Sequence, residues 1–112
     1  MSERCWTLEA AQALLPDVRE RTARAVEEAE ALAEQRAGLA AEAPEHAELA
    51  DRIEAVVSRW AREMEALGLE VKGLWLVDFD NGEGYYCWQW PEEQLAYWHG
   101  YEEGFSGRAR IQ

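Results

Sequence analysis

LWLVDFDNGEGYYCWQW, residues 74–90, is the stretch whose reading decides the fold of this chain. Apolar side chains alternate up to Phe79 and again beyond Tyr85, which is the period of a strand, and Asn81-Gly82 lies between the two runs. Asn-Gly accepts the positive φ that a tight hairpin turn requires. Taking those two residues as the loop sets Phe79 opposite Gly84, Val77 opposite Tyr86 and Trp75 opposite Trp88. One face then carries Trp75, Val77, Phe79, Tyr86, Trp88 and Trp90; the other carries Leu74, Leu76, Asp78, Tyr85, Cys87 and Gln89. Asp80 would face Glu83, a like-charge pair that hints at a longer or bulged loop. The second face is chemically mixed and is expected to stay wet.

Outward from this hairpin, the strand period begins near Leu69, and Pro91-Glu92-Glu93 breaks the second strand. Leu95 to Trp98 is expected to return as a third strand, before Gly104 and Gly107 end regular structure. A two-stranded hairpin is barely stable alone, so the Trp-rich face must pack on something.

The first part of the chain supplies that support. Leu8, Ala11, Leu15, Val18, Thr22, Ala25, Ala29, Leu32, Arg36 and Leu39 recur at spacings of three and four, the period of a seam on a long helix. Thr7 is its expected N-cap, and Pro16 either kinks the helix or restarts it. After Gly38 and Pro44 the spacing returns as His46, Ala50, Ile53, Val57, Trp60, Met64 and Leu67, with Gly68 as the stop. A short connection makes the two helices antiparallel. Folding the seam on itself sets Ala25 against Trp60, Thr22 against Met64 and Val18 against Leu67. The shorter second helix then runs out, leaving Leu8, Ala11 and Leu15 to be covered by the aromatic half or by another copy.

The expected fold is therefore α+β: a long antiparallel two-helix coiled-coil hairpin followed by a small two- or three-stranded antiparallel β-sheet packed on the helices. Residues 1–112 form one domain in this reading, with helix one at 7–42, helix two at 45–67, the sheet at 69–98 and a glycine-containing tail at 99–112.

Composition excludes several function classes. The net charge is -12, and residues 74–107 hold seven carboxylates without one Lys or Arg. Such a surface repels phosphate backbones and anionic headgroups, so nucleic acid and membrane are not expected as partners, whereas a basic protein or peptide, or a cation, is compatible. No apolar run spans a bilayer and no signal segment is evident, so a cytoplasmic location is expected. Cys5 and Cys87 are read as reduced thiols.

Candidate sites are few. Ten of the twelve aromatic residues fall between Leu74 and Phe105. The leading expectation is a homodimeric interaction module without catalytic activity, with Leu8, Ala11, Leu15, Trp75, Trp88 and Trp90 as the interface. The rival is a small-ligand or catalytic pocket built from Asp78, Tyr97, Trp98, His99, Glu102 and Arg108, where His99 is a base, Arg108 an anion clamp, and Asp78 or Glu102 orients the imidazole. Against it stands a structural alternative in which Arg108 pairs with a carboxylate and His99 caps a surface turn. A third reading recruits Cys87, His99, Asp78 and Glu102 or Glu103 to a metal; no cofactor is expected. The aromatic strip itself would also suit a cationic group.

The chain resembles the bacterial and archaeal family known as domain of unknown function 2203 over almost its whole length. The likeness rests on Trp6-Thr7-Leu8-Glu9-Ala10-Ala11, Leu14-Leu15-Pro16-Asp17-Val18-Arg19, Leu67-Gly68-Leu69-Glu70-Val71-Lys72, Leu76-Val77-Asp78-Phe79, Tyr86-Cys87-Trp88, Tyr97-Trp98-His99, Gly104-Phe105 and Gly107-Arg108. Members often begin with Phe-Thr where this chain has Trp6-Thr7. The resemblance implies a small cytosolic protein and adds no catalytic role. It points to the Pro16 turn and the Trp98 to Arg108 tail as the places for any site.

Overall fold

A computed structural model describes residues 5–112. Helix α1 spans Leu8–Ala37; the Thr7 hydroxyl caps it by accepting the Ala10 amide at 3.0 Å. It runs through Pro16 without restarting, and that ring is exposed to solvent. Helix α2, Pro44–Ala66, opens with proline in its first turn, where the missing N–H costs nothing. Leu67 closes it, and Gly68 at φ 94 turns the chain toward the sheet.

The helices pack antiparallel. Arg21 reaches Glu63 at 3.4 Å, and Arg59 reaches Glu28 at 2.6 Å. Between these pairs the Trp60 indole donates to the Thr22 hydroxyl at 2.8 Å inside the core. The buried stripe of α2 is Leu49, Val56, Trp60 and Met64, so Ala50 and Val57 of the expected seam yield to their larger or better-placed neighbours. Leu49 displaces Ala50 because a larger apolar side chain removes more surface from water, whereas Val56 and Val57 differ only in where the helix places them.

The sheet has five antiparallel strands in the order β1-β2-β3-β4-β5, which corrects the expectation of two or three. They are β1 Glu70–Gly73, β2 Leu76–Asp80, β3 Gly84–Gln89, β4 Tyr97–Gly100 and β5 Ala109–Arg110, with a 3-10 turn at Phe105–Gly107. What reads as one extended run from Leu69 folds back at Leu74-Trp75, and Trp75 adopts φ 59 there. Its ring meets Trp60 edge to face at 5.0 Å, so tertiary packing holds a left-handed backbone that the residue type does not favour.

The β2–β3 loop is longer than two residues. Phe79 pairs with Tyr86, Val77 with Trp88 and Asp78 with Cys87, a shift of two from the expected register. An even shift leaves every side chain on its expected face. The Asn81 side chain accepts the amides of Glu83 and Gly84 at 2.8 Å each, closing the longer turn. The third expected strand lies two residues later than predicted, and the tail adds β5 instead of leaving regular structure.

Val77, Phe79 and Trp88 are fully buried and join Trp6, Ala11, Leu15 and Leu95 in one core. The bare end of α1 is thus sheltered by the sheet of its own chain. Of the six side chains expected at an interface, Ala11, Leu15 and Trp88 are core residues, and Leu8, Trp75 and Trp90 pack partly buried against them. Among the described residues no helix is long and apolar enough to cross a membrane.

Candidate functional site

Strand pleating puts Asp78 of β2, Cys87 of β3 and His99 of β4 on the face turned away from the helices. Asp78 pairs directly with Cys87, and His99 pairs with Tyr85, two residues along β3. This face was expected to stay wet, yet its centre is dry: Asp78 is 1% exposed, Cys87 0% and His99 4%. The chain after β4 folds back over it, bringing Tyr101 and Phe105 to the rim of a cavity of about 240 Å³ floored by the three buried groups. Tyr85, Glu103 and Lys72 complete the wall.

Backbone contacts fix the imidazole. Gly84 lies so close to β4 that a Cβ there would stand 2.6 Å from the His99 carbonyl oxygen, so glycine is what permits this approach. Glu103 accepts the Gly100 amide at 2.7 Å and pins the end of the strand.

His99 Nδ1 lies 2.8 Å from the Gly100 carbonyl oxygen, and Nε2 lies 2.9 Å from Asp78 Oδ2. A carbonyl only accepts, so Nδ1 carries the hydrogen in that bond. The Nε2 to Oδ2 contact is attractive only with a proton or another positive centre between the two atoms. The second carboxylate oxygen, Asp78 Oδ1, is buried and meets no donor in hydrogen-bonding geometry, and the nearest candidate donor to the carboxylate besides His99 is the Cys87 thiol. Burial pushes the Asp78 carboxyl above its ordinary range, opposed by the Cys87 thiol, His99 and Lys72 beside it. The Cys87 thiol is pushed up to about 12, mainly by burial and further by the Asp78 carboxylate, with Arg108 opposing.

The remaining candidates separate. Arg108 does not line the cavity but lies against the Cys87 thiol of its floor; it ion-pairs with Glu92 at 2.8 Å and stacks between Tyr97 at 4.1 Å and Phe105 at 4.0 Å. It therefore acts as a clamp that holds the tail over the site, the carboxylate pairing foreseen as its structural alternative. His99, by contrast, is buried and caps no surface turn. Glu102 is exposed outside the cavity wall. Trp98 pairs with Tyr86 on the opposite face, 41% exposed, and lines a different hollow. The site brings together Asp78 and His99 of the expected ligand set, and Asp78, Cys87 and His99 of the expected metal set.

Sequence reasoning did not name Lys72, Tyr85, Tyr101 or Phe105 as ligand-binding residues. Two signals were available: Tyr85 was assigned to the face of Asp78 and Cys87, and Tyr101 and Phe105 lie in the Trp98 to Arg108 tail expected to carry any site.

Over residues 4–111 the chain matches DUF2203, described as an uncharacterized conserved protein. The chain belongs to this family. No curated protein and no solved structure matches it. For this DUF2203 chain the chemistry of the site accordingly rests on the geometry of Asp78, Cys87 and His99.

Proposed function

We propose that this protein binds a small, positively charged ligand in the cavity above Asp78, Cys87 and His99. The observation that carries the reading is the buried Asp78 Oδ1, a carboxylate oxygen without a hydrogen bond at the floor of an aromatic-walled cavity. Leaving such an atom unsatisfied costs about 1–3 kcal/mol, which a bound donor or cation recovers. Tyr85, Tyr101 and Phe105 line the same space, and aromatic rings favour cations over anions. The net charge of -12 draws cations toward the molecule. Lys72 at the rim and Arg108 beside Cys87 do not reverse this balance, because they pair with Glu70 at 3.2 Å and Glu92 at 2.8 Å.

A homodimeric, non-catalytic module, the leading expectation from sequence, rested on an uncovered stripe along α1 and on more aromatic surface than one small domain can bury; Trp98, Tyr101 and Phe105 do remain exposed. That stripe is covered within the chain, which supports the pocket as the better reading.

The test is NMR of the aromatic and imidazole resonances during titration with methylammonium, tetramethylammonium and zinc chlorides, against sodium acetate and phosphate at matched ionic strength. A saturable shift at Tyr85, His99, Tyr101 and Phe105 with cationic probes alone is expected. Response to the anions alone, or to none of the probes, overturns the reading.

A further inference from the structure

We infer that Asp78, Cys87 and His99 form a binding site for a divalent transition-metal ion of the zinc class, with one coordination position left open to the cavity. The inference rests on the cationic-ligand reading and narrows it to one chemical class. One donor atom from each residue lies within 4.8 Å of the other two, and all three residues are buried. In a tetrahedral zinc shell the donors stand about 3.3–3.7 Å apart, so modest side-chain rotation suffices.

Three features point to an ion. The imidazole is tied through Nδ1 to the Gly100 carbonyl oxygen at 2.8 Å, which presents Nε2 as the ligating atom. Metal-bound histidines are oriented by such outer contacts. Between Nε2 and Asp78 Oδ2, 2.9 Å apart, a positive centre is required in any case. Asp78 Oδ1 has an unused acceptor in the same dry space. One metal ion supplies that positive centre, takes one oxygen of the Asp78 carboxylate, and brings in a third donor, Cys87 Sγ, from the neighbouring strand.

The mixed set of sulfur, nitrogen and oxygen decides the metal class. Magnesium and calcium select oxygen ligands, whereas thiolate with imidazole suits zinc and its neighbours. Coordination releases the Cys87 thiol proton and the proton held between Asp78 and His99 to solvent. Three protein donors leave a fourth position, and the cavity under Tyr101 and Phe105 is where water or a ligand atom would take it.

The experiment uses the full chain purified without an affinity tag and titrated with Co²⁺. One equivalent should produce a thiolate-to-cobalt charge-transfer band with the intense visible bands of tetrahedral Co²⁺, and Zn²⁺ should abolish both. Cys5→Ser, at an exposed thiol, should leave the spectrum unchanged. Cys87→Ser should remove the charge-transfer band. Because a substitution at a fully buried position can unfold the chain, X-ray absorption of the wild-type zinc form provides an independent reading, with one sulfur at about 2.3 Å expected. Failure to bind Co²⁺ or Zn²⁺, or a shell of nitrogen and oxygen only, overturns the inference. If the organic ammonium probes still shift the cavity resonances, the cationic-ligand reading survives that failure; if nothing binds, both fall.

Discussion

Cys5 and Cys87 share a side chain but little of its chemistry. Cys5 is exposed, whereas Cys87 is fully buried under the tail with its thiol pushed up to about 12. Only the thiolate reacts, and it must be reached. A thiol-reactive dye at pH 8 should therefore label one cysteine per native chain, shown by peptide mapping to be Cys5, and two after denaturation. Rapid labelling of Cys87 in the native protein would show that the floor of the cavity is open to solvent. The partners of Asp78 make the same point, since the sequence sets Cys87 on its face and groups His99 with both, yet gives no warning that the space they share is dry.

Among the elements, the helix pair depends on more than apolar burial. Thr22 and Trp60 place a polar contact of 2.8 Å in the middle of the seam. Thr22→Val keeps the shape of the side chain while leaving the indole N–H buried without an acceptor. The expected cost is about 1–3 kcal/mol, read as a lower urea midpoint at unchanged m-value. No loss of stability would mean that the indole finds another acceptor. The surface ion pairs of the same helices, such as Arg24 with Glu20, are 70% exposed and contribute little by comparison. In the sheet, β4 and the 3-10 turn are the elements that convert a pleated face into a cavity, and the Arg108 to Glu92 pair anchors the tail that carries the turn.

At the scale of the molecule, the sheet and the helical hairpin are joined at Trp6. Its backbone amide donates to the Asp80 carbonyl at 2.6 Å, its indole donates to Gly68 at 3.3 Å, and its ring meets Phe79 edge to face at 5.4 Å. One residue thus ties the start of α1 to the end of α2 and to β2. Trp6→Ala should cost about 3–5 kcal/mol, as large-to-small core substitutions do. Far-ultraviolet and near-ultraviolet circular dichroism should both record a lower melting temperature. If only the near-ultraviolet signal shifts, helices and sheet are less strongly coupled than this junction implies.

Local pattern alone determined the antiparallel helical hairpin, the N-cap at Thr7, the sheet faces, and the presence of Asp78, Tyr85 and Cys87 on one of them. These follow from the periods of helix and strand, which act over neighbouring residues and survive a register error of two. Tertiary structure alone decided the fold-back at Leu74-Trp75, the five-strand count, and the arrival of His99 beside Asp78. Gly73 flanks the turn, but its two central residues, Leu74 and Trp75, are not ones that normally mark a turn, and Trp75 is held there by Trp60, far away in sequence. The position of His99 depends on how the segment between β3 and β4 closes and on how near Gly84 lets the strands come. Contacts of that kind are set by packing across the whole sheet, and no periodicity in the chain encodes them.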